Sequence, residues 1–230
     1  MDKYEVEAML MKSESKQCVV PVGLVEEGIL LPVMESPWPE YEPFALAPVS
    51  VSVRVSREAN RLQLLYRVSA PELRRMCTAH NQDVHADSCV EVFLRNPRDE
   101  EYVNFEFSAT GYIKVGRGES RANRILYAPE TIDESIDYEV RILSNSLHDD
   151  TDGTGGCEWT ARISIDLTVF GLMPPGHMDI LPYLEANFQA CGDGLERPYF
   201  LVWNPIDTPK PDFHRPEFFG RLVFSPTISS

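Results

Sequence analysis

Trp203 stands beside Asn204 at the head of a proline-rich segment, NPIDTPKPDFHRPEFF, that carries Asp207, Asp212, His214, Arg215 and Glu217. An indole set among amide and charged groups offers a flat apolar face ringed by hydrogen-bonding partners, which suits a polyhydroxylated ligand. A second group, Glu91, Asn104, Glu106, Asn187 and Gln189, falls on strand faces that would otherwise be apolar. Each costs about 1–3 kcal/mol if buried without a partner. These residues therefore either line a wet concave face or close a network among themselves. With Trp203 beside them the wet face is the favoured reading, and its planar amides and carboxylates would accept a ligand's hydroxyls. The same set leaves catalysis open, because Glu91 with Glu106 has the composition of an acid/base pair for glycoside chemistry. Carboxylates on neighbouring strands more often serve as hydrogen-bond acceptors or as ion-pair partners, here of Arg117 or Arg121.

Other chemistries lack their signatures. There is no GxSxG elbow, no GxxxxGK[ST] loop, no GxGxxG opening a helix and no HExxH. The five histidines, His80, His85, His148, His177 and His214, are dispersed. The five cysteines, Cys18, Cys77, Cys89, Cys157 and Cys191, contain no CxxC pair, so no zinc signature is present and reduced thiols are expected. Asp149, Asp150 and Asp152 invite a calcium reading but fail the EF-hand template, so 149–156 is expected to be a solvated loop. No metal and no cofactor are called for. A net charge of -15 argues against nucleic-acid phosphates and anionic lipid surfaces. The N-terminus has no apolar signal core and no run reaches the ~20 apolar residues of a membrane span. The expectation is a cytoplasmic protein, or an exported one whose signal has been trimmed.

The elements that must position these residues are short and alternating. Val49 to Val55, Arg61 to Ser69, Asp87 to Arg95 and Tyr102 to Ser108 read as strands of period two. So do Tyr112 to Val115, Tyr138 to Leu143, Glu158 to Leu167, Tyr183 to Cys191 and Phe219 to Phe224. Asp87 to Arg95 places Cys89, Glu91 and Phe93 on one face; Tyr102 to Ser108 places Asn104, Glu106 and Ser108 together. Pro71 to Met76 suggests one helical turn capped by Ser69, and Gly116 to Arg121 a loop. Trp159 is expected in the core and Trp38 as a plug at one end of it. With no linker or repeat, residues 1–230 form one domain, 1–16 being a tail. The fold class is all-β, an antiparallel β-sandwich of immunoglobulin-like or jelly-roll type with two packed sheets.

Four blocks, DSCVEVFLR (87–95), YVNFEFSATGYI (102–113), EWTARISIDLTVFG (158–171) and the long block from Ala186 to Phe224, resemble successive blocks of carbohydrate-binding module family 9-like proteins. The resemblance implies a β-sandwich related to the DOMON group that binds mono- or oligosaccharide chain ends between aromatic side chains. By motif it assigns Glu91 as an acidic sugar ligand and Asn187 and Gln189 as a polar strand lining the site. Trp203 becomes one wall of an aromatic clamp and Arg117 a hydrogen-bonding arginine. Where founding modules carry a tryptophan before the DS-VE strand, this chain has His85. The relation to DOMON proteins also raises a haem or redox reading, for which His85 is the candidate axial ligand.

Overall fold

Valines and isoleucines at alternate positions have one physical outlet, a pleated strand with one face to bury. The computed structural model describes residues 16–31, 35–41, 49–145, 156–174 and 183–224. Its first strands are β1 (Gln17–Val20), β2 (Ile29–Leu31), β3 (Ser50–Glu58) and β4 (Arg61–Ala70). There follow β5 (Cys89–Arg95), β6 (Tyr102–Ser108), β7 (Ile113–Gly118) and β8 (Ile125–Leu126). A short helix, α1 (Pro129–Ser135), leads into β9 (Ile136–Asn145) and β10 (Cys157–Asp166). The chain closes with β11 (Tyr183–Cys191), β12 (Phe200–Val202) and β13 (Gly220–Phe224).

These strands form two sheets. One runs β2-β3-β4-β10-β9; the other runs β1-β13-β11-β5-β6-β7-β8, with β12 also paired to β11. Every pairing is antiparallel except β1 with β13. The expected all-β sandwich of two packed sheets is therefore the fold. Between the sheets, Val53, Leu64, Tyr66, Trp159 and Ile163 of one meet Val92, Phe105, Phe107 and Phe188 of the other, all without solvent exposure.

The outer face of the larger sheet is covered as well. Trp38, Val84, Phe93, Tyr102, Val202, Ile206, Phe213 and Phe219 form a second, smaller apolar cluster there. Its cover comes from the segment between β12 and β13 and from residues 35–41. That is why β5 and β6 are buried on both faces although their sequences alternate. Trp159 lies in the main core as expected. Trp38, 2% exposed, plugs this outer layer rather than an end of the main core, and its Nε1 donates to the Thr208 carbonyl at 2.9 Å.

Two local expectations are corrected. Residues 71–76 make no helical turn; the segment runs extended beside Ser88, exchanging hydrogen bonds with it through Arg74. The Asp87 carboxylate takes the Met76 and Cys77 N–H groups, so the backbone there has partners without coiling. Gly116 to Gly118 continues β7, held by Asn104 to Tyr102 of β6, and the loop begins only afterwards. The expected tail (1–16) and the expected acidic loop (149–156) lie outside the described residues save for Lys16 and Gly156.

Candidate functional site

Gln189 of β11, Glu91 of β5, Glu106 of β6 and Lys114 of β7 stand directly opposite one another in register on the outer face of the larger sheet. Neighbours in such a row have Cβ atoms about 4.5–5.5 Å apart. Over the row lies a cavity of ≈ 630 Å³, a size typical of small-molecule sites. Glu91, Asn104, Glu106 and Cys191 line its strand-borne part. Lys114, Arg121, Arg124 and Leu126 contribute the β7–β8 side, and Tyr41, Phe200, Phe213 and His214 come from the covering segments. His85 and Asp193 line it too. They meet because Asp193 and Gly194 donate their N–H groups to the carbonyls of His85 and Ala86, both at 3.0 Å. Gly194 is required there, since a Cβ would come 2.6 Å from the Ala86 oxygen.

The hydrogen-bond ledger of the strand-borne part does not close. Asn104 Nδ2 donates to Glu106 Oε1 at 2.7 Å. Asn104 Oδ1 and Glu106 Oε2 are buried with no hydrogen-bond partner. His85 Nδ1 faces Glu106 Oε2 at 3.7 Å, an ion-pair distance rather than a hydrogen bond. Two acceptors on residues that line the cavity are thus buried without a hydrogen-bond partner, which costs about 1–3 kcal/mol each.

Electrostatics follow the same geometry. Burial, and after it the Glu106 charge across the strand, pushes the Glu91 carboxyl well above the usual carboxylate range. The Glu106 carboxylate in turn raises His85 above an ordinary imidazole. Burial, aided by Arg121 and Arg124, pushes His214 down to about 3, so its ring is neutral; Nδ1 lies 2.8 Å from the Tyr102 hydroxyl. The Arg124 guanidinium donates to the carbonyls of Gly116 (2.7 Å) and Tyr102 (3.0 Å), which makes it a brace for the wall.

The residues expected from sequence separate into two groups. Glu91 and His85 line the cavity, and Gln189 sits in the Glu91 row, fully buried, with neither carboxamide atom hydrogen-bonded. The others are corrected. Trp203 is 2% exposed and packs edge-on against Phe188 at 5.6 Å in the main core, so it presents no face to a ligand. The cause is strand parity: Leu201 pairs with Ala190, which faces the core, and Trp203 falls on the same side as Leu201. Asn187 and Asn204 are a backbone clasp. Asn187 Oδ1 accepts the Asn204 N–H at 2.8 Å and its Nδ2 donates to the Asn204 carbonyl at 2.9 Å. The Asn204 side chain is spent on Lys16 N–H and the Phe218 carbonyl. Arg117 is engaged by Glu101 (2.7 Å), the Phe170 carbonyl (3.1 Å) and Asp99 (3.4 Å) and does not line the cavity.

Sequence reasoning missed Tyr41 and Phe200, whose rings meet edge-on at 5.0 Å, and Phe213 and Lys114 beside them. One signal was available: in YFLVW, Phe200 and Val202 must face away from Leu201 and Trp203.

A family model described as carbohydrate-binding family 9 matches residues 26–224. Among solved structures, the chain is similar to a candidate carbohydrate-binding protein from Bacteroides uniformis ATCC 8492. Identity is 26% and the TM-score 0.76, over 92% of this chain and 100% of that one. It is also similar to a family 9 carbohydrate-binding module from Caldicellulosiruptor kristjanssonii in complex with cellotriose, at 15% identity and TM-score 0.50, over 91% and 93% of the two chains. The glucose complex of a family 9 module from the same organism matches at 13% identity and TM-score 0.50, over 94% and 98%. No curated protein matches.

Proposed function

The chain belongs to carbohydrate-binding family 9, and from that premise we propose that the cavity above Glu106 binds a mono- or oligosaccharide without transforming it. The observation that carries this reading is that Asn104 and Glu106, whose Oδ1 and Oε2 have no hydrogen-bond partner, line a cavity that aromatic rings also line. A sugar presents both features needed: hydroxyl donors for the two oxygens and an apolar C–H face for rings such as Phe200 and Tyr41. Lys114 and Arg121 supply donors to ring or hydroxyl oxygens from the β7–β8 side. The family 9 structures from Caldicellulosiruptor kristjanssonii that share the fold are complexes with cellotriose and with glucose.

The test is saccharide binding by the purified chain on a glycan array, followed by calorimetry on any hit. Glu106→Gln is expected to weaken binding by roughly tenfold or more, because hydrogen bonds to a charged acceptor contribute about 1.5–3 kcal/mol. Failure of the wild type to retain any saccharide would sink the proposal. One observation favours a second reading. Glu91, its carboxyl pushed well above the usual carboxylate range, stands directly opposite a second carboxyl group, Glu106, the composition of an acid/base pair. Hydrolysis of a glycoside by the wild type, abolished in Glu106→Gln, would establish that reading instead.

A further inference from the structure

Cys89 and Cys191 face each other in direct register across β5 and β11, and Glu91 follows two residues along the same face. The three side chains are almost fully buried, and Cys191 Sγ lies 3.1 Å from Glu91 Oε1. Two sulfurs and one carboxylate oxygen lie within 4.8 Å of one another. In a tetrahedral zinc centre the ligand atoms are roughly 3.3–3.8 Å apart, given the usual metal–ligand lengths, so small rotamer changes close this cluster onto one ion. The saccharide reading has no use for the two thiols. Packing alone gives no reason to set a carboxyl group against them, since a buried acid is costly there.

We propose that Cys89, Cys191 and Glu91 form a three-ligand site for a divalent cation of the zinc class, with the remaining coordination position open toward the cavity. Two sulfur donors exclude calcium and magnesium, which take oxygen ligands, and they suit zinc or cobalt. The open position follows from the lining: Glu91 and Cys191 border the cavity, while Cys89 does not. Burial pushes the Cys89 thiol up to about 12, and the Cys89 contact followed by burial holds Cys191 well above the usual thiol range. A bound dication reverses that balance. On binding, the ion forms two metal–sulfur bonds and one metal–oxygen bond. The two thiol protons, and the carboxyl proton where Glu91 carries one, pass to solvent, and nothing is oxidised. The proposal stands independently of the saccharide reading.

The experiment is a titration of the reduced full-length chain with Co²⁺ as probe, followed by Zn²⁺. The expected result is a thiolate-to-cobalt charge-transfer band that saturates at one equivalent and is bleached by Zn²⁺. Cys191→Ser should abolish the band; Glu91→Gln should keep it but weaken binding roughly tenfold or more, as expected for a damaged coordination shell. No band in the reduced wild type overturns the proposal, as does a band unchanged in the Cys89→Ser/Cys191→Ser variant. A pair that closes as a disulfide in air and takes up no Co²⁺ when reduced overturns it too. Should the serine variants fail to fold, wild-type Tm decides. Zinc at about a hundredfold over its Kd should raise Tm by roughly 5 °C or more where magnesium does not, and equal Tm values with both ions overturn the site.

Discussion

Asp87 has no solvent exposure, yet its two oxygens accept four hydrogen bonds. The donors are Arg74 Nη1 at 2.6 Å, the N–H groups of Met76 and Cys77 and the Ser108 hydroxyl, the last three each at 2.9 Å. Burial alone would raise this carboxyl, but the donors outweigh it and hold it below the usual carboxylate range. Because the folded value is depressed, the stabilisation is present above the unfolded value and is lost as pH falls through the folded one. Asp87→Ala leaves the donors unpaired. A loss of about 3–5 kcal/mol is expected, read as a lower urea midpoint at unchanged m-value. Since Arg74 and the Met76–Cys77 backbone tie residues 71–78 to the start of β5, the same substitution should loosen the chain leading to His85.

At the scale of the element, the edge of β11 is shared. β13 pairs with it from Tyr183 to Ala186 and β12 from Gln189 to Cys191. The gap is closed by the Trp203 N–H on the Phe188 carbonyl at 2.8 Å and by the Asn187–Asn204 clasp. Gly220 of β13 admits the indole, since a Cβ there would stand 2.5 Å from Trp203 Cζ3. Gly220→Ala is therefore expected to cost about 1–3 kcal/mol through overpacking, and Trp203→Ala about 3–5 kcal/mol through the cavity it leaves. The clasp residue behaves alike: Asn187→Ala orphans two backbone groups at about 1–3 kcal/mol each. Thermal unfolding checks all three. If Trp203→Ala spared Tm but removed ligand binding, the placement of the indole in the core would be wrong.

The whole molecule is a sandwich with an added cover, and the cover makes the site. His214 fastens it to the sheet, its ring 4.9 Å from Phe93 and its Nδ1 on the Tyr102 hydroxyl. Its folded value of about 3 lies below the ordinary 6.5, chiefly through burial. Between those values the unfolded chain binds the proton and the folded chain does not, so stability rises with pH across that window. Lowering pH from 6.5 toward 3 should progressively destabilise the protein, whereas raising it above 6.5 should have no effect through this group. His214→Gln should flatten that part of the plot of urea midpoint against pH. An unchanged slope would show that His214 does not titrate with unfolding. No described helix is long and apolar enough to cross a membrane.

Alternation is a local property, so the sequence by itself determined most of the longer strands, that β5 and β6 carry polar residues on one face, and which family the chain resembles; the short β8 and β12 and the end of β7 were not legible in it. It also placed Glu91 and Glu106 together, because both fall on the outward parity of adjacent strands. Whether an outward residue meets solvent, a ligand or a second layer is not local. Trp203, read from its polar neighbours, is core because β12 pairs with β11 in one register and not the next. The Asn187 side chain is spent on the Asn204 backbone for the same reason. Glu91 and Cys191 are 100 residues apart in the chain, and only the β5–β11 pairing brings their side chains within 3.1 Å. A dithiol and a carboxylate scattered so widely have no spacing to read; register, a product of the whole sheet, decides that they touch.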